Sequence, residues 1–354
     1  MGILPGARSP IGLDIGDRNI KAVQLSHTGV GRKPRLESVM VLRRQEPGEP
    51  LSKGEARRIR DVLGRQGFGG RTVVVAVPSR VLMTGVMTLP PRKSGAPVAM
   101  IAEAEMARAH RCEPGAFELR YWELPETARR VEGTPVMAAA CPHTDAERML
   151  GVLESVGFEV LALDIQSWAM LRACDPLIKP TTIAGALDLS WDAATFVLLH
   201  RNRIVYQRTL NDFGSRSLVE RVIEDMGLST KVAEHLIFDV GFDEPGEDNP
   251  DVAKLVARVR PTLDAHFGHV ARELGMSMSY AANEYRDAEL VRLLLIGSAA
   301  SIPGLDGQLG ELIDAEVSAV RAGDILDCGE ALANEATRTS LTVATGLALY
   351  EEAA

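Results

Sequence analysis

The fold is decided by a short stretch near the start of the chain, residues 11–25, which reads IGLDIGDRNIKAVQL. Its apolar run predicts a strand that ends near Asp14, Gly16 marks a sharp turn, and the following run predicts the second strand of a hairpin. Lys21 lies seven positions after Asp14. Glycine lets a backbone approach a phosphate closely, and a carboxylate and an ammonium can hold a hydrated Mg²⁺ and a phosphate oxygen. Taken alone, the stretch fits a plain strand-end turn better than a phosphate or metal site, and a second copy in the chain would reverse that preference.

The first stretch has a counterpart in the second half of the chain. Residues 12–25, GLDIGDRNIKAVQL, align in phase with residues 186–199, ALDLSWDAATFVLL, and Asp188 follows Asp14 by 174 positions. A single Leu-Asp match would be noise, but both copies begin a strand-turn-strand pattern and both stand at the start of a half. We therefore predict two repeats of one α/β unit, whose turns face each other across a cleft.

Length, charge and cysteine usage set the class of the protein. At 354 residues the chain is too long for one ordinary core, so two domains are the expectation. The net charge of −9 argues against nucleic acid as a partner. The four cysteines are far apart, which favours free thiols, and no apolar run reaches the roughly 18 residues of a membrane span. With no signal peptide at its start, the chain is predicted to be cytoplasmic.

Connecting segments divide the chain further. Turns are predicted at residues 29–31 and 201–203, and an acidic loop is predicted at residues 242–251. The segment DPLIKPTT, residues 175–182, carries two prolines and is the predicted linker between the halves, with the hinge between Pro176 and Pro180.

Several longer stretches are similar to one protein family. They are IGLDIGDRNIKAVQLS (11–26), VVVAVPSRVLMTGVMTLP (73–90), MIAEAEMARAH with FELRYWELP (100–125), VLESVGFEVLALDIQSWAMLRA (152–173) and IGSAASIPGLDGQLGELI (296–313). Together with residues 185–210 they resemble the PilM family of type IV pilus assembly proteins, which are actin-like and related to the cell-division protein FtsA. The resemblance covers nearly the whole chain in order.

The resemblance implies an α/β, actin-like fold of two ribonuclease-H-like lobes, with a small inserted α/β module in the first lobe. Its implied boundaries are 1–71 plus 143–178 for the first lobe, 72–142 for the inserted module, and 179–354 for the second lobe.

The resemblance also implies a cleft for ATP and Mg²⁺ between the lobes. Asp14 and Asp188 would hold the metal. The implied nucleotide-binding positions, taken residue by residue, are Asp14, Gly16, Asp17 and Lys21 of the first loop, Asp188 and Ser190 of the second, Gly214 before the next helix, Glu234 of the adenosine helix, and Gly297 and Ser298 of the third turn.

This chain departs from the family pattern in each of these loops. Asp17 stands where Ser or Thr is usual, and its carboxylate would repel phosphate unless a metal or a cation such as Arg18 offsets it. Ser190 replaces a glycine, and Ile237 replaces a lysine. The third turn, which is usually Gly-Gly-Gly or nearly so, reads Gly-Ser-Ala-Ala at residues 297–300. Because each added Cβ occupies space that a nucleotide would use, the sequence predicts a weak or degenerate ATP site with little or no hydrolysis.

The leading functional expectation is a cytosolic actin-like scaffold of type IV pilus machinery or a related secretion machine. By resemblance it would dock the short cytosolic tail of a bitopic inner-membrane protein of PilN type, and contact other pilus components. The tail would lie in an apolar groove between the first lobe and the inserted module, with the apolar strands of residues 73–122 as a candidate surface. The protein would then be peripheral at the inner membrane.

Two other functions stay open. One is a nucleotide-dependent enzyme of the actin and kinase superfamily, which would need an intact glycine-lined adenosine site. The other is an FtsA-like filament former bound to membrane. The chain ends at ALYEEAA (348–354), directly after a predicted closing helix, and this end predicts no direct membrane insertion.

Overall fold

The computed structural model describes residues 7–26, 32–125, 132–179, 183–200, 203–244, 250–285 and 290–351. The predicted turn at 29–31, most of the predicted turn at 201–203, the end of the linker and the middle of the acidic loop lie outside these residues. The strands are β1 (Ile11–Ile15), β2 (Asn19–Ser26), β3 (Arg35–Arg43), β4 (Thr72–Val77), β5 (Met83–Leu89), β6 (Phe117–Glu123), β7 (Thr134–Pro142), β8 (Glu159–Ile165), β9 (Ile183–Leu189), β10 (Ala194–His200), β11 (Arg203–Leu210), β12 (Leu290–Ile296) and β13 (Glu316–Ala319).

Helices connect these strands. They are α1 (Lys53–Arg65), α2 (Val98–His110), α3 (His143–Glu154), α4 (Gln166–Cys174), α5 (Ser215–Met226), α6 (Thr230–His235), α7 (Pro250–Glu284), α8 (Leu305–Ile313), α9 (Ala322–Ile325) and α10 (Thr342–Ala348).

The first sheet grows out of the quoted hairpin. Its strand order is β3-β2-β1-β4-β8, with β1 antiparallel to β2 and parallel to β4. Asp14 on β1 lies directly opposite Lys21 on β2. The central strand β4, TVVVAV, is covered on both faces, as its unbroken apolar run requires.

The second sheet repeats this order as β11-β10-β9-β12-β13. Asp188 on β9 takes the place of Asp14 and lies opposite Thr195 on β10, where the first sheet has Lys21. Strands β9 and β10 are buried along their whole length. The repeat read from the spacing of Asp14 and Asp188 is therefore present in strand order and in register, whereas the edge strand β13 was not foreseen.

A small third sheet has the order β5-β7-β6 and is covered by α2. It falls inside the module predicted at residues 72–142. The observed strand pairing differs from the predicted boundary at one point. Strand β4 belongs to the first sheet, where it lies between β1 and β8, so the separate sheet begins only at Met83.

The closing helix α10 also departs from the drawn boundaries. It was placed in the second lobe, yet it packs on β1 and α4 of the first. Two glycines permit this close approach: a Cβ on Gly12 would collide with the carbonyl of Ala344, and a Cβ on Gly346 with that of Ala169. The chain thus returns to the first sheet before it ends, and the division into lobes by residue number stays a prediction.

Two bulk expectations can be compared with the structure. All four cysteines are free, and three of them are buried. Among the helices of the described ranges, none has the length and apolar character needed to cross a membrane.

Candidate functional site

A cavity of about 410 Å³ lies where the turns after β1 and β9 face each other. Seven of the ten predicted site residues line it, namely Asp14, Gly16, Asp17, Lys21, Asp188, Ser190 and Ser298. Gly214, Glu234 and Gly297 are not among its lining residues. The two carboxylates that were expected to share one cleft therefore do so.

The floor of the cleft carries a buried ion pair. Lys21 Nζ lies 2.7 Å from Asp14 Oδ2, and the two side chains are only 11% and 13% exposed. Burial lowers the pKa of Lys21, but the charge and the hydrogen bond of Asp14, with the charge of Asp188, outweigh it and raise the pKa. The lysine therefore stays charged and supplies the cation beside both carboxylates.

Asp188 is the most buried carboxylate of the cleft. Burial raises its pKa to about 6, against the lowering effects of Lys21 and of hydrogen bonds from Ser190 and Gln166. Ser190 Oγ donates to Asp188 Oδ2 over 2.8 Å, and Gln166 Nε2 donates to the same oxygen. The other oxygen, Oδ1, is buried and has no hydrogen-bond partner among the described residues. Oδ1 of Asp188 can therefore bind a proton or accept a hydrogen bond from another donor.

A second pair of carboxyl groups meets at the rim. Asp17 of the first turn and Asp192 of the second are close enough to hydrogen-bond, and burial followed by this bond and the Asp17 charge raises the pKa of Asp192 to about 6. Arg80 pairs with Asp17 at 2.8 Å, and Arg216 pairs with Asp192 at 3.1 Å. The cation that offsets Asp17 is therefore Arg80, not Arg18 as the sequence suggested.

Arg18 instead crosses the cleft. Its guanidinium carbon lies 3.9 Å from the centroid of the Trp191 ring, and Nη2 lies 2.6 Å from Oε1 of Glu234 on α6. The acid expected to bind adenosine is thus engaged by a side chain of this chain. Residues 18 and 234 are too far apart in sequence for this contact to have been predicted.

The two outlying glycines serve packing. A Cβ on Gly214 would collide with the backbone of Trp191 and Asp192, and one on Gly297 (φ +88°) would collide with the Asp188 carboxylate. At the start of α5, the amides of Ser215 and Arg216 already donate to the carbonyls of Ser190 and Trp191. These groups face neighbouring protein atoms rather than open space for a phosphate.

The residues of the cleft fit ATP and Mg²⁺ only in part. The cleft is large and polar, and buried Asp188 Oδ1 lacks a donor, which suits a small cationic or protonated group. The adenosine side does not fit, because the Arg18 side chain contacts both Glu234 and Trp191. Within the described ranges, no group of three or more His, Cys, Asp or Glu side chains could hold a metal ion.

An apolar groove lies on the other side of the first turn. It is lined by side chains from β1, β4 and β7, from α3 and from the loops before α1 and β5, which include Ile15, Leu51, Val77, Val81, Cys141 and Met149. Its cavity measures about 40 Å³, which is room for roughly three water molecules or for the tip of one apolar side chain. Burial raises the pKa of Cys141 to about 11, so this thiol is neutral and part of the apolar wall.

The apolar strands 73–122 separate into two kinds. Residues 73–77 are buried on both faces in the first sheet, and Phe117 is buried beneath α2. Val86 on the edge strand β5 and Met100 on α2 remain exposed, at 49% and 68%. Trp122 instead contacts the second sheet, where its Nε1 donates to the carbonyl of Ile204 over 2.9 Å. No sequence signal pointed to this contact.

Comparisons with known proteins agree with this geometry. The sequence model of the family described as "Type IV pilus assembly protein PilM" matches residues 12–352. A solved PilM–PilN type IV pilus biogenesis complex is similar with a TM-score of 0.72 and 21% identity, over 96% of this chain and 98% of that chain.

Two other solved structures are similar at lower scores. The ethanolamine utilization protein EutJ from Carboxydothermus hydrogenoformans has a TM-score of 0.56 and 13% identity, over 99% of this chain and 92% of that chain. MreB 5 of Spiroplasma citri, bound to AMPPNP, has a TM-score of 0.51 and 14% identity, over 98% and 97%. At these identities the likeness shows the fold, and it confirms the actin-like α/β architecture expected from the sequence.

Proposed function

Because this chain belongs to the PilM family of type IV pilus assembly proteins, we propose that it is a scaffold that docks the cytosolic tail of a bitopic inner-membrane protein of PilN type. The solved relative with the highest TM-score quoted above is a complex of PilM with PilN. Docking through such a tail would place this protein at the inner membrane, on its cytoplasmic side, without inserting it.

The observation that carries this proposal is the apolar groove lined by Ile15, Val77, Val81, Cys141 and Met149. It runs between the first sheet and the junction of β7 with α3, where the predicted inserted module would join the first lobe. An apolar recess of this kind with charged groups at its rim is typical of an interaction site. Here the charged groups are Arg80, Arg148 and Asp145, and each arginine is paired with a carboxylate.

The occupant that suits the groove is an extended segment of under about 15 residues with one apolar anchor side chain. The recess holds only the tip of a side chain, so the anchor has to be followed by a segment that lies along the surface. Arg44, which follows β3 and lines the groove, forms a buried pair with Glu55 of α1 at 2.7 Å. The wall beneath the anchor is therefore rigid, which keeps the entropy cost of docking low.

We propose further that the cleft is a degenerate nucleotide site. ATP would bind weakly, because the contacts of Arg18 with Trp191 and Glu234 compete with it. Hydrolysis would be negligible, since Lys21 and Asp14 are engaged with each other and two nearby amides of α5 with backbone carbonyls. The scaffold reading is preferred to the enzyme reading on these contacts.

The experiment is a calorimetric titration with a synthetic peptide of the partner's cytosolic tail. Val81 lines the groove and Val86 lies outside it on the exposed face of β5, so Val81→Asp and Val86→Asp form a matched pair. We expect Val81→Asp to weaken binding at least roughly tenfold, because a charge enters an apolar pocket, and Val86→Asp to bind as the wild type does. The reverse pattern would place the tail on the face of the inserted module and overturn the groove.

A further inference from the structure

We propose that Arg18 is a latch that holds the two lobes closed in the absence of bound nucleotide. Its side chain starts in the turn after β1 of the first sheet and reaches two residues of the second half, Trp191 and Glu234. A protein side chain thereby makes the contact between lobes that a ligand in the cleft would otherwise have to make. The closed form is then a property of the chain alone.

Both contacts of Arg18 are sheltered enough to matter. The guanidinium carbon lies 3.9 Å above the Trp191 ring, within the range of a cation–π interaction, and Trp is the strongest such partner. The ion pair with Glu234 is 2.6 Å long, and its side chains are 16% and 25% exposed. Partial burial reduces screening by salt, so this pair is worth more than an exposed one.

The first end of the latch is fastened to the first lobe. The carbonyl of Arg18 accepts a hydrogen bond from the amide of Arg44 over 2.9 Å, and that of Asp17 accepts one from Gly48 over 3.3 Å. These bonds tie the turn to the segment after β3. The position of the Arg18 guanidinium is therefore coupled to the position of the first sheet.

The second end is fastened as well. The carbonyl of Trp191 accepts from the amide of Arg216 over 2.8 Å, which ties its loop to α5. Glu234 lies on α6, which packs against α5. The latch therefore joins two bodies that are each internally bonded, and a second bridge runs parallel to it from Gln166 on α4 to Asp188 on β9.

A ligand that filled the space between Trp191 and Glu234 would have to displace the guanidinium first. The free energy of that displacement is subtracted from the free energy of ligand binding. The apparent association constant is therefore the intrinsic constant multiplied by the fraction of molecules in which the latch is open. The same residue would account for closure without ligand and for the weak nucleotide binding proposed above, independently of whether a tail docks in the groove.

Hydrogen–deuterium exchange of the full chain without nucleotide tests this latch. In Arg18→Ala we expect the amides of Ser215 and Arg216 to exchange roughly tenfold faster. They donate to carbonyls of the loop that carries Trp191, and this loop is freed when the cleft opens more often. The matched control is Arg108→Ala, which removes an exposed pair with Glu105 of the same 2.6 Å length and should leave these amides unchanged.

Exchanging the charges of Arg18 and Glu234 distinguishes opening of the cleft from a general loss of folding. Arg18→Glu alone should open the cleft, and Arg18→Glu combined with Glu234→Arg should restore slow exchange in part. Faster exchange confined to Gly48 and Arg44, on Arg18's own side, would mean a local contact and overturn the latch. So would stronger protection of wild-type Ser215 and Arg216 on addition of excess Mg-ATP, since the latch already holds the closed form.

Discussion

Lys21 Nζ lies 2.7 Å from Asp14 Oδ2 at the floor of the cleft, and the charge of Asp188 adds to the field on the same ammonium. Lys21 belongs to β2 of the first sheet and Asp188 to β9 of the second. One buried cation thus serves carboxylates from both halves of the chain. The corresponding position in the second sheet is Thr195, so the cleft has a single lysine of this kind rather than a symmetric pair.

Removing that cation should be costly. Lys21→Met leaves Asp14 and Asp188 buried without their counter-charge, and breaking a buried pair in this way costs about 3–5 kcal/mol. We expect a loss of that order in the free energy of unfolding, measured by urea denaturation. The double change Lys21→Met with Asp14→Asn removes both charges and should recover at least half of it. A double variant as unstable as the single one would show that the pair is not the cause.

Asp188 should make stability depend on pH. Its pKa is raised to about 6 in the folded chain, above its value of about 4 in an unfolded one, so its stabilising contribution is complete below pH 4 and is lost as the pH rises through 6. Asp188→Asn lacks this titration. The difference in unfolding free energy, wild type minus variant, should therefore fall by about 2–3 kcal/mol between pH 4 and pH 7.

Asp192 titrates near the same pH but is present in both proteins, so its contribution cancels in that difference. The measurement is urea unfolding at a series of pH values. A constant difference across the range would contradict the burial and the unpartnered oxygen assigned to Asp188.

ATP turnover should be absent or very slow. Release of phosphate from Mg-ATP by the purified chain should stay far below the common enzyme floor of about 1 per second. The physical reason is that Arg18, Lys21 and the first amides of α5 are engaged within the protein. Turnover above that floor that is abolished by Asp188→Ala would favour the enzyme reading.

The fold was predictable because its evidence is local and repeated. The pattern around Asp14 recurs around Asp188, and the in-phase apolar positions of both stretches become strands with the same order and register. Most of the candidate cleft followed from the same repeat. Asp14, Lys21, Asp188 and Ser190 lie together because each stands at the same end of a strand or in the turn beside it.

The contacts between distant parts of the chain were not predictable. Nothing in the sequence pairs Arg18 with Glu234 or Arg80 with Asp17, since long side chains can reach many partners. Gly214 and Gly297 illustrate the same limit. A glycine signals that backbone approaches closely, but not whether the neighbour is a phosphate or, as here, another segment of the protein.

Trp122 should fasten the small third sheet to the second sheet. Trp122→Phe keeps most of the ring but removes the donor to the carbonyl of Ile204, and we expect a cost of about 1–2 kcal/mol in unfolding free energy. Trp168→Phe, which trims the neighbouring ring at 5.1 Å, keeps that bond and should cost less. Equal losses would assign the effect to ring packing alone.

Hydrogen–deuterium exchange with and without the synthetic tail peptide tests the docking proposal most directly. The groove predicts slower exchange in two separate segments that line it, residues 77–82 and residues 141–149, with the exposed strand β5 unchanged beyond its first residues. Protection at both segments in wild type, and its loss in Val81→Asp, is the expected result. Protection confined to residues 84–89 and α2, with residues 141–149 unaffected, would contradict docking in the groove.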